Sequence, residues 1–277
     1  MPMPPRLANS TPSRLYSLCR LIQMRPGLNR RTLADYMQPS GLQKNQVAFN
    51  SIFNTANQLG LLEGVNQDQI CLFPDKSDLG NPSAFRQAIM RKLDEEPEQV
   101  FMRFTAWYLQ RGKAVYTENS VTLAQEFERE VNQGAAEINQ FNDTNITAWK
   151  TWAAFLGYGI LHNSVLIPDA SVRLYDVLKE DKSMPRGQPI TVKDFMAWLG
   201  KRCPELDGGK TSRDNTGDGG YGHQRISIGL SAALRGLHNK QVLELLNIND
   251  APDLWYLIRV DNHPIVERFT HIVLRGE

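Results

Sequence analysis

The sequence predicts a mainly α-helical chain broken by short β-hairpins, built as a tandem of small helix-and-hairpin modules. Three observations carry this reading. A phrase occurs twice: residues 59–75 read LGLLEGVNQDQICLFPD and residues 156–169 read LGYGILHNSVLIPD. Each copy runs from a Leu-Gly step through an apolar strand, a polar turn and a second apolar strand to Pro-Asp, and such self-similarity marks an array of repeated units. Each copy also closes a stretch whose apolar residues recur at three- and four-residue steps, the period of an amphipathic helix. The glycine of the phrase suits a helix C-terminus, where the chain turns left-handed and a Cβ is unwelcome.

Taken in order, residues 1–11 are a Pro-rich tail expected to be flexible. Ser10 and Thr11 are candidate caps for a helix over 12–24, with Pro12 in the first turn, where its missing N–H costs nothing. Leu15, Leu18, Cys19 and Ile22 form its apolar stripe, and Arg25-Pro26-Gly27 stops it. A short helix over 29–37 buries Leu33 and Tyr36, and the QPSG at 38–41 is a turn. A third helix over 42–59 turns Val47, Ile52, Phe53, Ala56 and Leu59 inward. Its other face carries Lys44, Asn45, Asn50, Asn54 and Gln58. Gly60 ends it, and strands at 61–63 and 69–73 flank a turn. Three helices and a hairpin within about 65 residues resemble the winged helix-turn-helix family over residues 12–74. That resemblance implies a third helix that enters the DNA major groove and a hairpin that touches the backbone or minor groove.

Residues 75–84 (DKSDLGNPSA) read as a linker, and 85–183 as a helical region ending in a second winged module. A helix over 85–113 breaks near Pro97, and its second half is apolar nearly all round, as a buried core helix is. A helix over 120–130 follows. Thr144 or Asn145 then caps the helix that feeds the second hairpin, which presents Lys150 and little other positive charge. A third winged module is expected over 184–277. Its helices lie at 190–203 and 227–241, and residues 242–260 read as strand, turn and strand. Between the helices, residues 207–224 (DGGKTSRDNTGDGGYGHQ) are too rich in Gly and Asp to pack and are expected to be a mobile loop.

Composition excludes several classes. Hydrophobic residues at 41% and charged residues at 22% are those of an ordinary globular chain, and a net charge of +1 offers no general attraction to nucleic acid. Only a local patch can do so, and the N-terminal part is the basic one: residues 1–80 carry eight Lys/Arg against five Asp/Glu, whereas 85–143 carry seven against ten. Three scattered cysteines make no disulfide framework, which points to a reduced, cytoplasmic protein. The first residues have no apolar signal region, and no apolar run is long enough to span a bilayer, so no membrane partner is expected.

The chemistry-bearing motifs are equally thin. The GGKT at 208–211 is not a phosphate loop, because Pro204 stands where the first glycine belongs. Asp207, Asp214 and Asp218 lack the alternate-residue spacing of a calcium loop. The five histidines have no partner at ligand spacing, and no nucleophile elbow or paired carboxylates stand out. The five tryptophans sit among apolar neighbours as core residues. No catalytic residue, metal or cofactor is expected, and the chain reads as a non-enzyme.

The nucleic-acid case therefore rests on the first module. Arg30 and Arg31 lie on its second helix, where winged-helix proteins contact phosphates, and Lys44, Asn45 and Asn50 are assigned to its third. Asn pairs bidentately with adenine, and Lys bonds to guanine or phosphate. Lys210 and Arg213 in the 207–224 loop are secondary candidates. At the level of the whole chain, the Pro-Ser-Arg-Leu at 12–15, the repeated hairpins and the Thr-His-Ile at 270–272 resemble the DpdG family. Those are accessory proteins of bacterial systems that insert 7-deazaguanine derivatives into DNA. The resemblance implies a partner protein in DNA modification or anti-phage defence, with no catalytic residues to carry over. Three functions compete: a non-catalytic subunit that binds duplex DNA and other proteins, a scaffold whose winged helices meet only protein, and a dimeric transcriptional regulator.

Overall fold

Local capping chemistry starts most of the helices in the computed structural model, which describes residues 10–39, 41–42, 45–64, 70–72, 81–95, 99–133, 141–216, 224–259 and 266–275. Helix α1 (Pro12–Met24) begins at Thr11, whose hydroxyl accepts the Arg14 amide, and it buries the expected stripe of Leu15, Leu18, Cys19 and Ile22. Helix α2 (Arg30–Met37) begins at Asn29, which accepts the Thr32 amide. Tyr36, expected inside, is half exposed with the Arg25 guanidinium over its ring.

Helix α3 (Val47–Gln58) starts later than the apolar pattern suggests and has no side-chain cap at its own first turn. Gln38 does that work from a distance. Its side-chain oxygen accepts the Phe49 amide at 3.0 Å, and its amide nitrogen donates to the Asn45 carbonyl. Leu42 and Val47 are left exposed, at 87% and 60%. After Leu59 and Gly60 come β1 (Leu62–Glu63) and its antiparallel partner β2 (Cys71–Leu72), and Leu28 adds a bridge to Ile70. Residues 28, 70–72 and 62–63 thus lie side by side in that order.

A middle unit follows: α4 (Pro82–Asp94), α5 (Val100–Gln110), a 3-10 helix η1 (Gly112–Tyr116), α6 (Ser120–Glu130), α7 (Asp143–Leu156) and a hairpin of β3 (Gly159–His162) with β4 (Val165–Pro168). Helix α5 is the buried core helix expected from its composition. Its Phe104 packs against Phe127, Phe141 and Trp149 with ring centroids 4.5–5.0 Å apart, and the Trp149 indole donates to Thr105 at 2.8 Å. Helix α7 is capped one turn earlier than expected, by a reciprocal pair of side chain–backbone bonds between Asn142 and Asn145.

The last part contains α8 (Ser171–Glu180), β5 (Pro189–Thr191), α9 (Val192–Arg202), α10 (Lys210–Thr216), α11 (Ile228–Asn239), β6 (Leu243–Leu246), β7 (Trp255–Tyr256), β8 (Arg268–Phe269) and β9 (His271–Leu274). The expected hairpin over 242–260 does not form. Instead β6 pairs with β9, which also pairs with β5, and β7 pairs with β8. The reason is burial: Leu243 and Leu245 face inward opposite Leu274 and Ile272, a better apolar match than the exposed Tyr256 offers.

The loop expected over 207–224 is corrected for residues 207–216, which pack. Asp207 accepts the Ser227 amide and hydroxyl, both at 2.8 Å, and so pins the start of α11. Helix α10 lies on α5, with Thr211 and Ser212 buried. One of the glycines that argued for looseness instead permits close approach within the turn before α10, since a Cβ on Gly209 would stand 2.3 Å from the Pro204 carbonyl oxygen. Residues 217–223 lie outside the described residues.

The fold is mainly helical with small antiparallel sheets, and one apolar cluster runs from Leu15 to Leu274. Where the middle and last parts meet, it encloses a polar knot. Arg173 on α8 donates to Glu205 at 3.0 Å, and the Tyr158 hydroxyl donates to the same carboxylate at 2.7 Å. Asp94 lies 3.4 Å from the Arg173 guanidinium. Burial, reinforced by Glu205 and opposed by Arg173, pushes the Asp94 carboxyl up to about 7. Burial opposes the charge on Arg173, but the acidic groups around it, Cys203 and Glu205 first, outweigh that and hold it firmly protonated.

Candidate nucleic-acid interface

Among the described residues of the first unit, Arg14, Arg20, Arg25, Arg30 and Arg31 stand against Asp35 and Glu63. This positive excess sits on α1 and α2 and in the turn between them. Arg31 is exposed and has no hydrogen-bond or ion-pair partner among the described residues. Arg30 is exposed but held: its guanidinium lies 4.6 Å from the Phe53 ring centroid and donates to the Asn50 side-chain oxygen at 2.9 Å.

The structure thus brings Arg30 and Asn50 together and changes what Asn50 offers. Bidentate reading of adenine needs both the oxygen and the nitrogen of the amide, and here the oxygen already orients Arg30. Asn45 is exposed but precedes α3 instead of lying on it. Lys44 lies outside the described residues, as does the tip of the hairpin at 65–69. Of the three residues assigned to the third helix, only Asn50 is seen on it.

The secondary candidates stand apart from this face. Lys210 donates to Asp214 at 2.6 Å within α10, and Arg213 donates to the Gly208 carbonyl. Both are exposed, yet each is committed to a local partner. The cation of the second hairpin unit is also engaged. Lys150 donates to Ser120 at 3.1 Å and to the Ser164 carbonyl at 2.7 Å, and burial lowers its pKa.

Accessibility of the helices that lead into β1, β3 and β6 separates the parts further. Helix α7 carries the buried Trp149 and Trp152 and packs on α6, α4 and α1; the Trp152 indole donates to the Ser10 carbonyl at 2.8 Å. Helix α11 is packed between α8, β6, β4, α5 and η1. Helix α3 packs chiefly on α1 and β1 and keeps Asn57 and Gln58 exposed. Pattern reasoning finds the cations of the first unit. It misses the Gln38 bracket and the Arg30–Asn50 pair, because they join residues 7 to 20 positions apart on different elements, with no periodic signal.

No described helix is long and apolar enough to cross a membrane. These features define a mainly helical protein with small antiparallel sheets, whose first part presents exposed arginines. The chain belongs to the DpdG-like family, whose model matches residues 6–251, and membership associates it with 7-deazaguanine DNA-modification systems. No curated protein and no solved structure matches it.

Proposed function

We propose that the chain is a non-catalytic accessory subunit of a DNA-modification or anti-phage defence assembly. It contacts duplex DNA through its first unit and other protein subunits through the rest of its surface. The observation that carries this is the form of residues 12–72: three helices and a small sheet ordered 28, 70–72, 62–63, in which Leu28 is a single bridge between α1 and α2, with Arg30 and Arg31 exposed on α2. Helix, strand, helix, helix and two strands, with the last strand in the middle of the sheet, is the order of a winged helix. The same order recurs in α8, β5, α9, α11, β6 and β9, with α10 inserted before α11 and the β7–β8 pair inserted between β6 and β9. There α11, the counterpart of a reading helix, is packed inside the protein, and this supports a structural role for that copy.

In this reading Arg31 and Lys44 meet phosphates, Asn45 lies beside the groove, and Asn50 holds Arg30 toward the backbone. Lys210 and Arg213 are secondary contacts at most, because a phosphate must compete with their present partners. Affinity rests on few cations, so binding is weak alone and steeply salt-dependent.

Duplex binding measured by gel shift at two salt concentrations tests this. The double variant Arg31→Ala, Lys44→Ala weakens binding and flattens the dependence of log K on log salt by roughly two, about one per phosphate contact. Unchanged affinity and slope would remove DNA from this face. A second reading is favoured by the exposed Leu42 and Val47 at the entrance to α3: the same face takes a protein partner. In that case Leu42→Ser abolishes capture of the partner, and duplex binding is absent from the start.

A further inference from the structure

Away from the first unit, a cavity of about 300 Å³ opens between η1, α11 and the chain after β7. Its walls include Lys113 from η1, Arg235 from α11 and Arg259 from the segment after β7, so three separate elements each turn a cation toward one hollow. Between them stand Tyr116, Ile228 and Ile258, which supply an aromatic ring and two apolar walls.

Three cations line this hollow, and one of them, Arg259, already has an acidic neighbour. Glu267 lies 3.7 Å from Arg259 and attracts Arg235, but burial outweighs that attraction and lowers the Arg235 pKa. Arg235 donates through Nε to the Val266 carbonyl at 3.1 Å, while its Nη2 is buried without a hydrogen-bond partner among the described residues. A half-desolvated guanidinium with one idle nitrogen is costly unless something negative joins it. A cavity with a few convergent polar groups on apolar walls is the usual form of a small-ligand site, and about 300 Å³ is at the small end of that range.

We propose that this cavity binds a small phosphate ester with a planar or apolar body, the phosphate on Lys113, Arg235 and Arg259 and the body against Tyr116, Ile228 and Ile258. The volume suits one nucleotide unit and excludes a duplex. The unit can come from a free nucleotide or from the phosphorylated end of an unpaired strand. None of these residues belongs to the first unit, so this site and the duplex-binding face stand or fall separately.

Calorimetric titration of the full chain with guanosine monophosphate, guanosine, inorganic phosphate and a 5′-phosphorylated single-stranded oligonucleotide tests it. The monophosphate or the phosphorylated strand binds, guanosine does not, and inorganic phosphate binds more weakly than either. Whichever of the two binds more tightly identifies the source. The exposed pair Lys113→Met, Arg259→Met leaves the melting temperature in place and weakens binding roughly tenfold or more, as loss of hydrogen bonds from charged groups does. Arg31→Ala leaves this binding untouched. The site is refuted if neither phosphate ester binds, if guanosine binds as well as its monophosphate, if inorganic phosphate binds as tightly as the esters, or if the double variant binds like the parent.

Discussion

Replacing Arg173 with Met isolates the energetics of the buried knot. The side chain is 5% exposed and Glu205 is 0% exposed, so neither charge has water to fall back on. Met fills much of the same volume, and the effect is therefore one of charge. Glu205 keeps the Tyr158 hydroxyl but loses the guanidinium, and its second oxygen already has no hydrogen-bond partner among the described residues. Removing one member of a buried pair costs about 3–5 kcal/mol. Asp94 is 32% exposed, so water screens part of its loss, and about 3–4 kcal/mol is the working figure. At about 2 °C per kcal/mol for a chain of this size, the melting temperature falls by roughly 6–8 °C.

Two controls make this sharp. Arg173 is the group that opposes the rise of the Asp94 carboxyl, so without it Asp94 takes up a proton more readily than in the unfolded chain, and the deficit is smaller at pH 5 than at pH 8. The double variant Arg173→Met, Glu205→Met removes the stranded charge and recovers much of the loss, because apolar replacement of a whole buried pair is often neutral or stabilising. Calorimetric melts at pH 5 and pH 8 measure all three chains. A single variant within about 2 °C of the parent at pH 8, or a double variant less stable than the single, would refute the reasoning.

Asp94 gives a prediction for the unmodified chain. Its carboxyl is held up to about 7 when folded, so the folded state keeps a proton that the unfolded state releases near pH 4. Its contribution to stability therefore declines as pH rises from about 4 to about 7, and Asp94→Asn removes that slope from a plot of urea midpoint against pH. The two glycines of the repeated phrase should respond unequally to alanine. Gly60 sits at φ +61° with nothing within 4 Å of the place a Cβ would take, so Gly60→Ala costs only the left-handed backbone penalty of about 1–2 kcal/mol. Gly157, at φ +89°, would bring a Cβ to 2.6 Å from the Arg173 amide nitrogen, which adds an overpacking cost of about 1–3 kcal/mol. Paired thermal melts check the order, and equal losses would contradict it.

What the residue pattern reveals depends on how local the cause is. Helix α1 follows from period and capping within a single turn, the burial of α5 from its nearly continuous apolar composition, and α6 (Ser120–Glu130) from its apolar stripe; all three are readable. The start of α3 is not, because its amides are satisfied by Gln38 from another segment. Strand pairing in the last part escapes the pattern for a related reason. Residues 243–246 carry the same apolar alternation whichever strand they meet, and the choice of 271–274 is made by burial across the chain. At residues 207–216, composition suggests looseness while packing uses the glycines for close approach. The cations of the first unit are readable as charge, but the Arg30–Asn50 bond and the Lys113–Arg235–Arg259 cavity exist only once distant segments meet.

The repeated Leu-Gly phrase therefore does two different jobs with one local design. In both copies a glycine with positive φ lets a helix turn into a hairpin. After Gly60 the hairpin closes a unit whose third helix keeps Asn57 and Gln58 exposed, and Arg31 on α2 has no hydrogen-bond or ion-pair partner among the described residues. After Gly157 the next residue is Tyr158, which is fully buried and bonded to Glu205, and the backbone comes close enough for the Arg173 amide to donate to the Gly157 carbonyl at 3.3 Å. The second copy thereby fastens the middle unit to α8 and the buried knot. A hairpin joined this way is anchored to the last part of the chain through its glycine and the residue after it, and both bonds link segments that are distant in sequence.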